Sequence, residues 1–320
     1  MDGITIGVFG SEPEARTAFA SSVGKKSEAE GIIVYHRTEG GRRVSFLDTA
    51  DFPDRIQGYA RIGSIVDRAL YLFPKSGKLT APDGELAILL GSMGLKGTLE
   101  LLDASASPEM ARGALQGTSV SEFPIEERNS SSSVIDLSNA TPRGGQPRKG
   151  TLVYVDRVFS VKGVGTVALG FVLCGSVSIH DQLRPIPGPE ELRLDVRGIQ
   201  INDQDFDSAG RGIRVGLSLR GAEAKDLDRS HWLDDGSFGL ADTMNLDFLK
   251  SPFYRLGVED RDMHLQLPGE LVTAGLRSAA GGLLQAKLPI QVPVWEGMRA
   301  TVLDLNGKGL RIAGGSTLKL

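Results

Sequence analysis

The chain has 320 residues, 40% hydrophobic and 24% charged, with 41 glycines and 15 prolines: too long for one ordinary core, and rich in turn formers. A single cysteine, Cys174, excludes a disulfide framework and any cysteine-based metal site. Thirty-six basic residues stand against 40 acidic ones, a formal charge of −4, which excludes an overall pull toward DNA or an anionic membrane and leaves RNA binding to a local patch.

The opening MDGITIGVFGSEPEAR has acidic residues and no basic run before an apolar core, so it is not read as a signal peptide; no 18-residue apolar stretch follows, and a cytoplasmic location is expected. Residues 4–9 (ITIGVF), 31–35 (GIIVY), 43–47 (RVSFL), 69–73 (ALYLF) and 98–102 (TLELL) read as strands, with helical composition at 14–23, 54–67 and 84–93. This alternation predicts a mostly parallel sheet covered on both faces. From 126 to 149 the sequence EERNSSSSVIDLSNATPRGGQPRK has linker composition, with a weak strand at 134–137.

Helix signals then fade. Val167, Leu169, Phe171 and Leu173 alternate with the smaller Ala168, Gly170, Val172 and Cys174, and Val215, Leu217 and Leu219 alternate in the same way, as in a closed antiparallel barrel. After a break at LDDGSFG, residues 283–294 and 299–305 read as strands again, with Pro289 and Pro293 pointing to edges or bulges. The predicted layout is an α/β domain (1–126), a Ser/Gly/Pro-rich connection (127–149) and two β-barrels (150–233 and 234–320).

Two stretches carry a family resemblance. The segment VDRVFSVKGVGTVALGFVLCGSVSIHDQLRPIP with IRVGLSLRGAEAKDLDRSHWL, within 152–233, resembles the second domain of the translation GTPases of the EF-Tu and SelB group. SPFYRLGVED with PIQVPVWEGMRATVLDLNGKGLRIAGGSTLKL is similar to that family's third domain. The resemblance implies a P-loop-GTPase-like domain in front, but its motifs are altered. Where G-x-x-x-x-G-K-[ST] would cradle phosphates, the chain has Gly10, Ala15, Arg16 and Thr17, with Glu12 and Glu14 in the loop. Where D-x-x-G would reach the metal and the γ-phosphate, it has Asp48 and then Asp51, and Phe52 replaces the water-positioning histidine. The metal-binding threonine of the first switch is absent from 31–34 (GIIV), and the guanine-reading signature reduces to Asp103 after Glu100-Leu101-Leu102.

The expectation is therefore a SelB-like pseudo-GTPase: no catalytic residue, no resident cofactor, and at most weak GTP or GDP binding with Mg²⁺. Its barrels would bind tRNA, the ribosome or another translation factor. By resemblance to the selenocysteine-specific branch, Asp156, Arg157 and Arg214 would form the pocket for the acceptor end or an anionic group. The residues end with the third segment at Leu320, so no fourth domain and no selenocysteine delivery are expected. A GTP-hydrolysing factor with an atypical site and a purely structural interaction protein are the alternatives; the oligomeric state stays open. His36, His231 and His264 have no helically spaced partner, so no metal site is expected, and His180 in SIHD is read as tolerating positive φ. By segment the basic and acidic counts are 15 and 19 (1–146), 12 and 11 (147–233), and 9 and 10 (234–320), so no segment is strongly basic.

Overall fold

A computed structural model describes residues 2–27, 31–127, 131–143 and 149–320; of the expected connection, 128–130 and 144–148 lie outside the described residues. The first unit runs β1 (Gly3–Phe9), α1 (Pro13–Val23), β2 (Lys25–Ser27), β3 (Ile33–Glu39), β4 (Arg42–Asp48), α2 (Gln57–Ile65), β5 (Arg68–Phe73), α3 (Ala81–Ser92), β6 (Gly97–Leu101), α4 (Pro108–Ala114), β7 (Ile125–Glu127) and α5 (Ser131–Asn139). Its seven strands lie in the order β2-β3-β4-β1-β5-β6-β7. β1 is buried at every position and pairs in parallel with β4 and β5, which is why GITIGVF is apolar on both faces. β3 and β4 form an antiparallel hairpin that turns at Gly40 and Gly41, with φ of 55° and 81°. A reciprocal Thr80–Asp83 capping box starts α3. The expected weak strand at 134–137 is instead part of α5: Val134 and Leu137, one helical turn apart, bury against the sheet with Ile4, Ile6 and Phe46.

Nine strands follow: β8 (Leu152–Val161), β9 (Gly165–Cys174), β10 (Ser176–Ser178), β11 (Gln182–Ile186), β12 (Leu194–Ile201), β13 (Gln204–Phe206), β14 (Ser208–Gly210), β15 (Arg214–Arg220) and β16 (Trp232–Asp234). The order β11-β16-β8-β9-β15-β12 returns to β11 through a β11–β12 pairing and closes a six-stranded barrel. The alternation of β9 is seated differently from the simplest reading of its sequence. Ala168 and Val172 fill the barrel interior with Val215 and Leu217, whereas Val167 and Leu169 line a groove outside it. His180 has φ +75°, as its turn requires.

The second barrel is the closed ring β17-β20-β19-β18-β21-β22, built from β17 (Gly239–Lys250), β18 (Arg261–Gln266), β19 (Leu271–Ser278), β20 (Leu284–Val294), β21 (Arg299–Leu303) and β22 (Ile312–Lys319). Pro289 falls where the β17–β20 register shifts between Ala241 and Thr243, so it marks a bulge and not an edge.

One apolar cluster runs from Phe9, Tyr59 and Leu90 of the first unit through Tyr154 and Trp232 of the first barrel to Leu265 and Val302 of the second. Polar contacts seal the junctions. Trp232 Nε1 donates to Pro268 O at 2.7 Å, Ser64 Oγ accepts from Gly269 N at 2.9 Å, and Arg311 Nε donates to Glu85 Oε1 at 2.9 Å. Among the described residues no helix is long and apolar enough to cross a membrane. Gly315 of β22 lies so close to α3 that an added Cβ would sit 1.9 Å from Ser92 O. Gly315→Ala is therefore expected to destabilise the protein by about 1–3 kcal/mol, read as a lower urea midpoint.

Candidate functional site

Only three residues, Gly10 to Glu12, separate β1 from α1, and Pro13 begins the helix without an N–H to offer. The loop is thus short, and the position one turn into the helix, Arg16, turns inward. Its side chain is 1% exposed. Nε donates to Asp48 Oδ1 at 2.9 Å, Nη1 to Gly10 O at 2.8 Å, and Nη2 to Thr49 O at 3.0 Å and Phe52 O at 3.4 Å. Asp48, at the end of β4, is also buried and accepts from Thr49 N at 2.8 Å on the same oxygen. The Tyr59 hydroxyl lies 2.9 Å from that oxygen and 2.8 Å from Val8 O, with one proton to donate between them. Burial raises the Asp48 carboxyl above its usual range, and the Arg16 charge offsets this only in part. Phe9 and Phe52 pack on the Tyr59 ring at 4.8 and 5.1 Å, so an aromatic shell encloses the pair.

The structure therefore brings Gly10, Ala15, Arg16 and Asp48 together and leaves the other sequence candidates outside. Thr17 faces solvent; Asp51 is exposed beside the Thr49 hydroxyl; Asp103 is exposed and its Oδ1 accepts from Ser105 N at 2.9 Å. Glu12 is half-buried and Glu14 exposed, while it is the Arg16 guanidinium that lies against Asp48. The crevice between Gly10–Glu12 and the ends of β5 and β6 is lined by Leu72, Phe73 and Leu102.

The second constellation lies on the first barrel. Asp156 is the extra residue of a bulge in β8, and its Oδ2 accepts from Arg214 Nη1 at 2.8 Å; the two side chains are 4% and 10% exposed. Burial raises the Asp156 carboxyl, partly offset by Arg214, and its Oδ1 is buried without a donor among the described residues. Arg214 stacks over Phe171 at 5.0 Å, and the exposed Arg157 over Phe159 at 5.4 Å. Arg157 thus stands beside the Asp156–Arg214 ion pair, with its guanidinium on an aromatic ring.

Arg214 and Phe159 open onto a groove of about 540 Å³ with apolar walls from Val161, Val167 and Leu169. The opposite wall comes from the first unit, through Ser27 and His36. His36 has no sequence signal beyond its place on a strand. Its ring nitrogens lie 3.3 Å from Ser27 Oγ and 3.4 Å from Ser45 Oγ. Burial, then the charges of Arg214 and Arg43, lower its pKa to about 4.

An α/β unit with a β2-β3-β4-β1-β5-β6-β7 sheet, followed by two closed antiparallel barrels, is the architecture of the SelB and EF-Sec translation factors. No family model matches the chain. In sequence it is 27% identical over 318 residues to an uncharacterized protein of Methanocaldococcus jannaschii, covering 98% of this chain and 99% of that one. It is 25% identical over 264 residues to the selenocysteine-specific elongation factor of the same organism, covering 72% of this chain but 55% of that factor. In structure it matches a bacterial EF-Sec with a TM-score of 0.85 at 16% identity, over 99% of this chain and 58% of that one. SelB from Methanococcus maripaludis with the GTP analogue GppNHp matches with a TM-score of 0.83 at 19% identity, over 100% of this chain and 80% of that one. The chain is SelB-like in fold, and in sequence it is similar to a selenocysteine-specific elongation factor.

Two predictions follow from these geometries. Arg16→Ala leaves a buried carboxylate without its cation and is expected to cost about 3–5 kcal/mol by chemical denaturation. His36 has a folded pKa below its unfolded one, so the stability it contributes is whole above pH 6.5 and drains away as pH falls toward 4. His36→Gln should therefore flatten the fall in stability between pH 7 and pH 4 by about 3 kcal/mol.

Proposed function

We propose that this protein is a translation-factor-like pseudo-GTPase of the cytoplasm, which keeps its first unit as a scaffold and uses its barrels to bind tRNA, the ribosome or another translation factor. The observation that carries this reading is the Arg16 guanidinium seated on Asp48. A Mg²⁺-bound nucleotide does not fit such a site. The carboxylate that would face the metal is already neutralised from within, Thr17 is exposed, and the apolar Leu72, Phe73 and Leu102 line the crevice beside the loop. Phe52 is buried in the aromatic shell and cannot orient an attacking water.

Recognition falls to the barrel groove. Its apolar walls would take an uncharged moiety, while Arg214, stacked on Phe171, would face an anionic or strongly polar group, with Arg157 stacked on the groove residue Phe159. The likeness to a selenocysteine-specific elongation factor supports an acceptor end as the occupant. His36 contributes a wall from the first unit, which gives a unit without nucleotide chemistry a reason to be kept.

Isothermal titration of the whole chain with GTP and GDP in Mg²⁺, beside a phosphate-release assay, tests the reading. The expected result is no saturable heat below millimolar nucleotide and no phosphate release above background; submicromolar binding with turnover would overturn it. Arg214→Glu, assayed by filter binding to aminoacyl-tRNA, is expected to weaken binding by about tenfold or more, whereas unchanged binding would remove the groove from the account.

A further inference from the structure

Counted along the sequence, no segment of this chain is strongly basic, yet the fold gathers arginines from all three. Arg42, Arg68, Arg143, Arg211 and Arg299 converge near Asp67, where the first unit, the connection after α5 and the first barrel meet. Asp67 is fully buried. It accepts from Thr5 N at 3.1 Å, from Arg143 N at 3.0 Å and from an Arg211 Nη2, so its charge is already shared.

The remaining donors go mostly to neutral oxygens. Arg42 donates to Ser138 O and Ala140 O at 2.9 Å and to Gly3 O at 3.2 Å. Arg143 reaches Gly63 O at 3.0 Å and Met93 O, Arg211 reaches Leu173 O at 3.2 Å, and Arg68 reaches Thr141 Oγ1 at 3.3 Å. Carbonyls satisfy hydrogen bonds but do not neutralise charge. Among the described residues the cluster therefore stays net positive in a partly dry place, which costs free energy unless an anion shares it. Arg143 Nε and Arg211 Nη1 are buried without an acceptor among the described residues. Burial, then the neighbouring Arg299, hold the Arg143 guanidinium down to about 10, with Asp67 opposing and Arg211 and Arg68 adding to the effect.

The cluster has an opening. Arg42 and Arg211 line a shallow depression of about 580 Å³, rimmed by Asp2, Gly3 and the hairpin glycines Gly40 and Gly41. A side chain at Gly40 or Gly41 would meet nothing within 4 Å, so the rim leaves room for a tetrahedral anion to approach. We propose that this depression is a binding site for a phosphate group, drawn by the charges of Arg42 and Arg211 that line it and by the field of the arginines behind them. The phosphate belongs either to a small phosphorylated ligand or to an RNA backbone. The site lies at the Gly3 end of β1, whereas the Arg16–Asp48 pair lies at its Phe9 end, so it does not depend on the reading of the nucleotide pocket.

The test is titration calorimetry of the whole chain with sodium phosphate against sodium chloride at equal ionic strength, with thermal melts in parallel. The expected result is one saturable phosphate site that raises the melting temperature. Arg42→Gln is expected to weaken it by about tenfold or more, and Asp2→Asn, a change at an exposed rim residue, to tighten it about two- to threefold. No phosphate effect beyond that of chloride would overturn the proposal. So would a folded Arg42→Gln that binds as the parent does; should that variant not fold, an unchanged affinity in Asp2→Asn decides against the site. A ten-nucleotide single-stranded RNA identifies the source. Competition with phosphate assigns the site to an RNA backbone, and phosphate binding without competition assigns it to a small phosphorylated ligand.

Discussion

The buried pair of Arg16 and Asp48 is the constraint from which the character of the first unit follows. A phosphate-binding loop needs space for an anion and a cation to meet it. Here the protein supplies both charges itself, 2.9 Å apart and almost fully enclosed. Such a pair is costly to bury and more costly to break, and both remaining nitrogens of the guanidinium are tied to carbonyls of the surrounding loops, at Gly10, Thr49 and Phe52. Those bonds hold residues 49–52 down against α1. Tyr59 reaches in from α2 to the same carboxylate, and its ring packs with Phe9 and Phe52. The inward guanidinium, the three-residue connection from Gly10 to Glu12 and the aromatic shell thus form one packed unit.

Much of the architecture was legible because it is written in periodicity and composition. The fully buried run of β1, the alternation in β9 and β15, and the prolines of β20 each correspond to an observed strand. Residues 134–137 were misread because four apolar and polar residues alone do not separate a period of two from one of 3.6. The tertiary partners of Val134 and Leu137 decide for the helix. At the candidate site the presence of an arginine at position 16 could be read directly, but the inward turn of its guanidinium could not, because it depends on where α1 begins and on Tyr59, 43 positions away. His36 carried no signal, since its significance comes from facing a barrel that lies more than a hundred residues further on.

Charge shows the same limit. The counts over segments are nearly balanced, and they average away arrangements that appear only in three dimensions. A chain with a net charge of −4 concentrates Arg42, Arg68, Arg143 and Arg211 around one carboxylate at a junction. The groove on the first barrel is likewise shared property: its apolar strands come from β8 and β9, and its opposite wall from the β2–β3 pair. The first unit is joined to the barrels by a continuous core and by contacts such as Gly3 N to Arg211 O at 2.8 Å, so its retention has a structural basis independent of nucleotide.

The most direct measurement is the arginine Nε–H resonance of Arg16, assigned by comparison with an Arg16→Lys variant in a ¹⁵N-labelled sample. A guanidinium locked on Asp48 inside an aromatic shell predicts a proton protected from exchange with solvent, whose shift does not move when millimolar Mg²⁺ and GTP are added. A rapidly exchanging signal, or one that shifts on adding the nucleotide, would contradict the account, because it would mean that the pocket opens and the ion pair gives way to a ligand.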